Sequence, residues 1–458
     1  MTRFHEHSNP VVPSYKRITL VMTITCLLLS SGCSGKAGSS NTAEPQPVPP
    51  AASPSSENPP PRQTDAASPP AQSPPPVTAA SPEPAGSEGS GPVGVIEQEI
   101  ASMPLEDKIG QMLLVGIDGT EVSAQTQAMI SNDKVGGIIL YGDNIKSLKG
   151  LVSLTNELKR SNAGNPAPLF VSVDQEGGKV SRMPDEYAKI PASGSVGASS
   201  NAEAAEMMGK LLAREVQTAG FNMDFAPVLD INSNPDNPVI GDRSFGNTSA
   251  KVIELGIAEM KGIESEGIVP VVKHFPGHGD TSVDSHLELP VVNKTEAQLA
   301  KLEWRPFREA VKEQADAVMV AHILYPHLDP DRPGSLSKVI ISQILRGQMG
   351  FKGVVITDDL TMGAIMKNYS LAAAAVNAVL AGSDILLVAH EYSNEQTTRN
   401  ALLAAVKQGK ISESRINESV YRILSLKQKY QLKDTPVAVP DLTQLNKDIK
   451  AWRTSFVK

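Results

Sequence analysis

Val354-Val355-Ile356-Thr357-Asp358-Asp359-Leu360-Thr361-Met362 is the stretch whose reading decides the fold. An apolar strand delivers two carboxylates at its end, just before a helical pattern begins. One Asp alone would serve to cap that helix. Alternation along an extended chain turns the two side chains to opposite sides. Asp358 is therefore expected to face a site and Asp359 to support it.

The same arrangement recurs on both sides of this stretch. Short β-branched runs read as strands at residues 112–116, 136–141, 169–173, 222–228, 269–274, 317–322, 353–357 and 385–389. Helical patterns fall between them at 145–159, 202–218, 252–266, 296–314, 338–349 and 370–381, and one at 412–429 closes the array. Eight such alternations predict an α/β fold, a TIM-like (β/α)8 barrel. A doubly wound open sheet is the rival. Against it, the chain has neither G-x-G-x-x-G nor G-x-x-x-x-G-K-[ST]. The polar residues argue further for a barrel. Asp174, Asp230, Lys273, His274, His322, Asp358 and His390 each fall at the C-terminal end of an expected strand. A barrel gathers those ends around one mouth, where this fold places its chemistry.

Three other stretches supply polar groups to that mouth. Residues 273–286 read K-H-F-P-G-H-G-D-T-S-V-D-S-H and hold three of the eight histidines. Pro276, Gly277 and Gly279 forbid a regular helix, so a strand end runs into a loop. A metal site is one reading, but H-E-x-x-H is absent and Pro-Gly breaks the helix that would align two ligands. The other reading pairs Asp284 with His286. A carboxylate can orient an imidazole, and an ordinary pKa of about 6.5 suits an acid/base near neutrality. In Val173-Asp174-Gln175-Glu176-Gly177-Gly178, a strand-end carboxylate can accept two sugar hydroxyls, and the glycines allow a sharp turn. Gly241-Asp242-Arg243-Ser244-Phe245-Gly246 offers a guanidinium to a ligand or merely to Asp242.

Together these stretches resemble the β-N-acetylglucosaminidases of glycoside hydrolase family 3, from about residue 93 to 429. K-H-F-P-G-H-G-D-T followed by D-S-H is the most specific element. The resemblance implies a TIM-like catalytic barrel in which Asp358 is the nucleophile of a covalent glycosyl-enzyme. It implies His286 as acid/base on a mobile loop, oriented by Asp284. It places sugar-binding residues at Asp174, Arg243, Lys273 and His274, with His322 near them. A cation such as Lys273 or Arg243 is expected to keep Asp358 ionised. The implied reaction removes terminal, non-reducing β-linked N-acetylglucosamine, as found in peptidoglycan fragments, with retention. No cofactor or metal is expected.

The ends of the 458-residue chain differ in texture. Lys16 and Arg17, the apolar run 18–29 and small residues up to Cys33 read as a secretory signal. The run is shorter than the 20 or so residues that span a membrane. Leu29-Ser30-Ser31-Gly32-Cys33 resembles a bacterial lipobox, although its Leu lies one place further from the Cys than usual. The resemblance makes residues 1–33 a lipoprotein signal and Cys33 a lipidated anchor outside the cytoplasm. Two acyl chains suffice for stable anchoring. Residues 34–92 are almost all Pro, Ala, Ser, Glu, Gly and Thr, a disordered linker with too little apolar surface to fold. The barrel is expected at 93–430. Residues 431–458 read as a tail too short for a second domain.

The remaining composition excludes several classes. Cys26 and Cys33 are the sole cysteines, so the barrel has neither disulfides nor thiol chemistry. A net charge of −8 gives no electrostatic reason to expect nucleic acid. A monomer acting on a carbohydrate is the expectation. The rivals are a β-glucosidase or glycoside phosphorylase of the same family, a sugar-binding lipoprotein without catalysis, and a metallohydrolase.

Overall fold

The computed structural model describes residues 92–456. The expected signal, Cys33 and all of the linker but Pro92 lie outside the described residues. Pro92 opens a helix, Pro92–Ser102, at the terminus where a missing N–H removes no helical bond.

Eight parallel strands follow in chain order: β1 Leu113–Gly116, β2 Gly137–Leu140, β3 Phe170–Val173, β4 Met223–Asp224, β5 Val269–Phe275, β6 Ala317–Val320, β7 Val354–Thr357 and β8 Leu386–Val388. Neighbours in sequence pair with one another, and β1 also pairs with β8. A parallel bridge between Ile356 and Ile385 joins β7 to β8. The N–H groups of Asp384 and Ile385 donate to the Val355 carbonyl there, at 2.8 and 3.0 Å. The eight strands thus curl into a TIM-like barrel with helices outside, as the strand count predicted. Nearly every strand residue is buried, as sheets covered by crossover helices require.

Several elements differ from the sequence reading for identifiable reasons. The strand expected at 222–228 is cut short at Asp224, because Pro227 has no N–H to give the ladder. Pairing resumes beyond it, where Val228 bridges Lys273 and the Leu229 N–H donates to the Lys273 carbonyl. The helix expected over 296–314 is two, Glu296–Lys301 and Trp304–Lys312. Pro306 cannot donate to residue 302, so it is accommodated in the first turn of a new helix. The segment 339–348 is a π-helix that buries Ile340, Ile341, Ile344 and Leu345. Asn201, Thr295, Ser370 and Ser412 each cap the following helix with a side-chain oxygen, which fixes where those helices begin.

Residues 431–456 are no loose tail. Asp434 accepts from the Asn162 amide and the Leu169 N–H, and Val437 exchanges hydrogen bonds with Asn156. A helix, Thr443–Phe456, then buries Ile449 and Trp452, and the Trp452 indole donates to the Ala204 carbonyl at 3.1 Å. This segment clasps the outside of the barrel, and Asn446 ties it to Glu186 and Ala188 in the segment after β3.

Candidate active site

The strand ends open on a cavity of about 290 Å³ lined by Asp174, Arg182, Arg243, Lys273, His274, His286 and Asp358, among others. Seven strongly polar residues expected at the mouth thus share one space: Asp174, Arg243, Lys273, His274, His286, Asp358 and His390.

One wall comes from the ends of β3, β4 and β5. Gly177 and Gly178, at φ +80° and +57°, turn the chain sharply after β3, a conformation that favours glycine. Asp174 and Glu176 are thereby presented beside Lys273. The Lys273 ammonium donates to Asp174 at 2.5 Å and to Glu176 at 2.7 Å. Arg243, on a short turn after β4, forms a two-pronged pair with Glu176, both bonds at 2.7 Å. Burial pushes the Glu176 carboxyl up, but Arg243 and Lys273 outweigh it and hold the group far below the usual range. Arg243 also reaches His274 Nε2 at 3.5 Å. His274 Nδ1 meets the fully buried Asp230 at 2.6 Å. A carboxylate only accepts, so Nδ1 carries the proton and Nε2 faces the cavity. Lys273 and His274 are adjacent yet both line the cavity, and the peptide bond between them is cis.

Asp358 follows β7 directly, and its Oδ1 accepts the Asp359 N–H at 2.9 Å. Burial pushes its pKa up, but the imidazoles of His322 and His274 and that N–H together hold it below the ordinary carboxylate value. This corrects the expected cause of its ionisation, since Lys273 and Arg243 are paired with Asp174 and Glu176. Asp359 serves the architecture. It accepts from the Thr361 N–H and hydroxyl and from the Ala389 N–H, tying the β7 turn to β8.

His322 does not reach the cavity, contrary to its expected contact with sugar. It is wholly buried, with Nε2 donating to the Asp359 carbonyl at 2.8 Å and Nδ1 on Ser335 at 2.6 Å. It holds the backbone behind Asp358.

The loop after β5 forms the opposite rim. His286 Nδ1 lies 2.7 Å from Asp284 Oδ1, which also accepts the His286 N–H at 2.9 Å. Burial raises the Asp284 pKa, but these two bonds prevail and lower it. Nδ1 of His286 is thus the donor to Asp284, and Nε2 is free. The His286 side chain is 65 % exposed. Two backbone bonds bring the loop to β7: Gly363 N–H to the His286 carbonyl and Ala364 N–H to the Ser285 carbonyl, both 3.1 Å.

His278 pins this loop from beneath. The Thr281 hydroxyl donates to the His278 carbonyl, so it must accept from His278 Nδ1, at 2.9 Å. Nε2 then accepts from the Ser285 hydroxyl, at 3.1 Å. Both ring nitrogens are satisfied by the neutral form. Burial, and His274 nearby, push the His278 pKa down to about 4.

Sequence reasoning did not assign Glu176, Arg182 or His278 a place in the site, and it gave Asp230 a strand end at the mouth but no part behind His274. Glu176 stood in a quoted motif, a charge beside two glycines at a strand end. The Arg182 guanidinium lines the cavity with a buried Nε that has no protein partner. Among the described residues, no group of three or more His, Cys, Asp or Glu is arranged to hold a metal ion.

The arrangement is a pocket with a charged wall, a recessed carboxylate and an exposed imidazole at its rim. The chain as a whole is similar to known proteins. Beta-hexosaminidase A of Pseudoalteromonas piscicida is 33 % identical over 348 residues, 71 % of this chain and 58 % of that one. The chain therefore spans little more than half of that relative's length. A beta-hexosaminidase of Idiomarina loihiensis is 34 % identical over 64 % of this chain and 88 % of its own. The structure of a glycoside hydrolase family 3 beta-N-acetylglucosaminidase from Paenibacillus sp. superposes with a TM-score of 0.73 at 40 % identity, covering 78 % of this chain and 69 % of that one. The model of the glycosyl hydrolase family 3 N-terminal domain matches residues 104–426. On that match, the chain belongs to glycosyl hydrolase family 3.

Proposed function

We propose that this chain is an exo-acting β-N-acetylhexosaminidase that releases terminal, non-reducing β-linked N-acetylglucosamine with retention of configuration. One observation carries the reading: Asp358 and His286 line the same cavity, and Asp284 engages the far nitrogen of that imidazole.

Most retaining glycosidases use two carboxyl groups, one as nucleophile and one as acid/base. Here the imidazole takes the second part. The Asp358 carboxylate attacks the anomeric carbon while protonated His286 gives its Nε2 proton to the glycosidic oxygen. The carbon–oxygen bond breaks and a glycosyl ester remains on Asp358. Neutral His286 next removes a proton from water, the hydroxide attacks the anomeric carbon, and Asp358 is regenerated. Asp284 stabilises the protonated ring and fixes its tautomer. Asp174, Arg182, Arg243, Lys273 and His274 bind the hydroxyls of the sugar being released.

The substrate class we favour is a peptidoglycan fragment. The sequence signs of export support this, with the enzyme held outside the cytoplasm by a lipidated Cys33. Metabolic labelling with a fatty acid tests the anchor: label should enter the wild type and be absent from Cys33→Ser.

The catalytic reading is tested with an aryl β-N-acetylglucosaminide and its 5-fluoro analogue. Wild type should hydrolyse the first, and the second should leave one sugar ester on the peptide containing Asp358. Asp358→Ala should fold normally, take no label and lose about 10⁴-fold or more in kcat. Label on another residue, or turnover of the aryl β-glucoside in preference, would overturn the assignment.

A further inference from the structure

Of the eight large hydrophobic side chains exposed among the described residues, four lie on two segments at the rim of the cavity. Val283, Leu287 and Val291 are on the loop that carries His286, at 37, 64 and 47 % exposure, and Met366 follows β7 at 44 %. The two segments are joined by backbone: Gly363 N–H donates to the His286 carbonyl, and a Cβ added at Gly363 would lie 2.7 Å from the Leu287 carbonyl oxygen. Met366 ends the short helix that starts at Gly363, one turn from that contact. Met362, at the start of the same turn, lines the cavity.

Chemistry identifies what meets this surface. The acid must stand beside the oxygen it protonates, so the group leaving on that oxygen lies next to His286. The charged wall and the recessed Asp358 occupy the inner cavity. An exposed His286 therefore directs the leaving group outward, past Leu287 and Met366. Those side chains offer no hydrogen bonds to hydroxyls and contact only CH groups.

We propose that Leu287 and Met366, with Val283 beside them, form a leaving-group subsite selective for aglycones that carry an alkyl or acyl substituent. This rests on the β-N-acetylglucosaminidase reading and adds a specificity to it. Burial of a few methylenes against such a surface strengthens binding about tenfold, and the gain should appear in KM.

The test compares methyl and hexyl β-N-acetylglucosaminide, whose alkoxide leaving groups are chemically alike. Wild type should show kcat/KM about tenfold higher for the hexyl compound, with similar kcat. The double variant Leu287→Ser/Met366→Ser should bring the ratio close to one, and a melting temperature within a few degrees of wild type reports correct folding. Equal kcat/KM for both compounds in wild type, or a preference that survives in the double variant, overturns the subsite alone. Hydrolysis of neither compound by wild type overturns the underlying activity as well.

Discussion

The two sides of the cavity are built in opposite ways. The wall from β3 to β5 consists of buried charges locked to one another: Lys273, Arg243 and Glu176 have almost no solvent exposure and satisfy each other directly. The loop carrying His286 is anchored at its start, where Asn237 donates to the His278 carbonyl and Lys294 pairs with Asp280, but its outer part is largely exposed and is held by His278 and two backbone bonds to the segment after β7. Recognition of a sugar's hydroxyls gains from groups that need no reorganisation. An acid that must admit substrate, protonate and then act as base gains from freedom to move. On the proposed mechanism, rigidity is placed where binding needs it, and a lighter tether where proton transfer does.

The contrast can be broken first on the loop side. His286→Ala should lower kcat/KM by about 10²–10⁴ for alkyl glycosides and far less for activated aryl glycosides, whose leaving group needs little protonation. Equal losses on the two substrate types would argue against an acid role. On the wall, Glu176→Ala leaves Lys273 with Asp174 as its ion-pair partner and takes from Arg243 its two-pronged partner. It should cost about 3–5 kcal/mol of stability by denaturant titration, besides weakening substrate binding. A loss below about 1 kcal/mol would mean that the wall is better hydrated than its burial indicates.

A third substitution tests the tether. A Cβ at Gly363 would stand 2.6 Å from the His286 carbonyl oxygen and 2.7 Å from that of Leu287. Gly363→Ala should push the loop away and reduce kcat about tenfold, with thermal stability nearly unchanged. Unchanged kcat would show that the loop does not work in the position seen here.

The last effect lies behind the wall and appears only as pH rises. Glu215 is buried, and desolvation raises its pKa from 4.5 to about 8. Its protonated form accepts from the Gln175 amide at 2.7 Å. The folded state thus holds a proton that the unfolded chain releases near pH 4.5. This contribution to stability is full below that pH and is lost as pH rises through about 8. Glu215→Gln should match wild type near pH 4.5 and exceed it by about 3–5 kcal/mol at pH 8. Equal melting temperatures at both pH values would refute the buried acid.

Much of this was legible in the chain. Strand and helix periods predicted a barrel, and polar residues at strand ends predicted one mouth. The helix Thr443–Phe456 was legible too: Leu445, Ile449, Trp452 and Phe456 recur at helical spacing. It was lost because a short segment after the last barrel helix read as a tail. Glu176 was harder. Its charge resembles any surface carboxylate until Lys273, 97 residues away, is folded against it.

By itself, the sequence determined which residues end strands, because burial demands apolar runs and polar side chains can appear only where the runs stop. It also marked the loop after β5, because Pro276, Gly277 and Gly279 cannot continue regular structure. The tertiary structure alone decided which charges neutralise one another, and so why Asp358 stays ionised by its histidines rather than by Lys273. It alone withdrew His322 from the cavity and placed His278 beneath the loop. Ion pairing and burial depend on distances across the barrel, and a linear pattern carries no such distances.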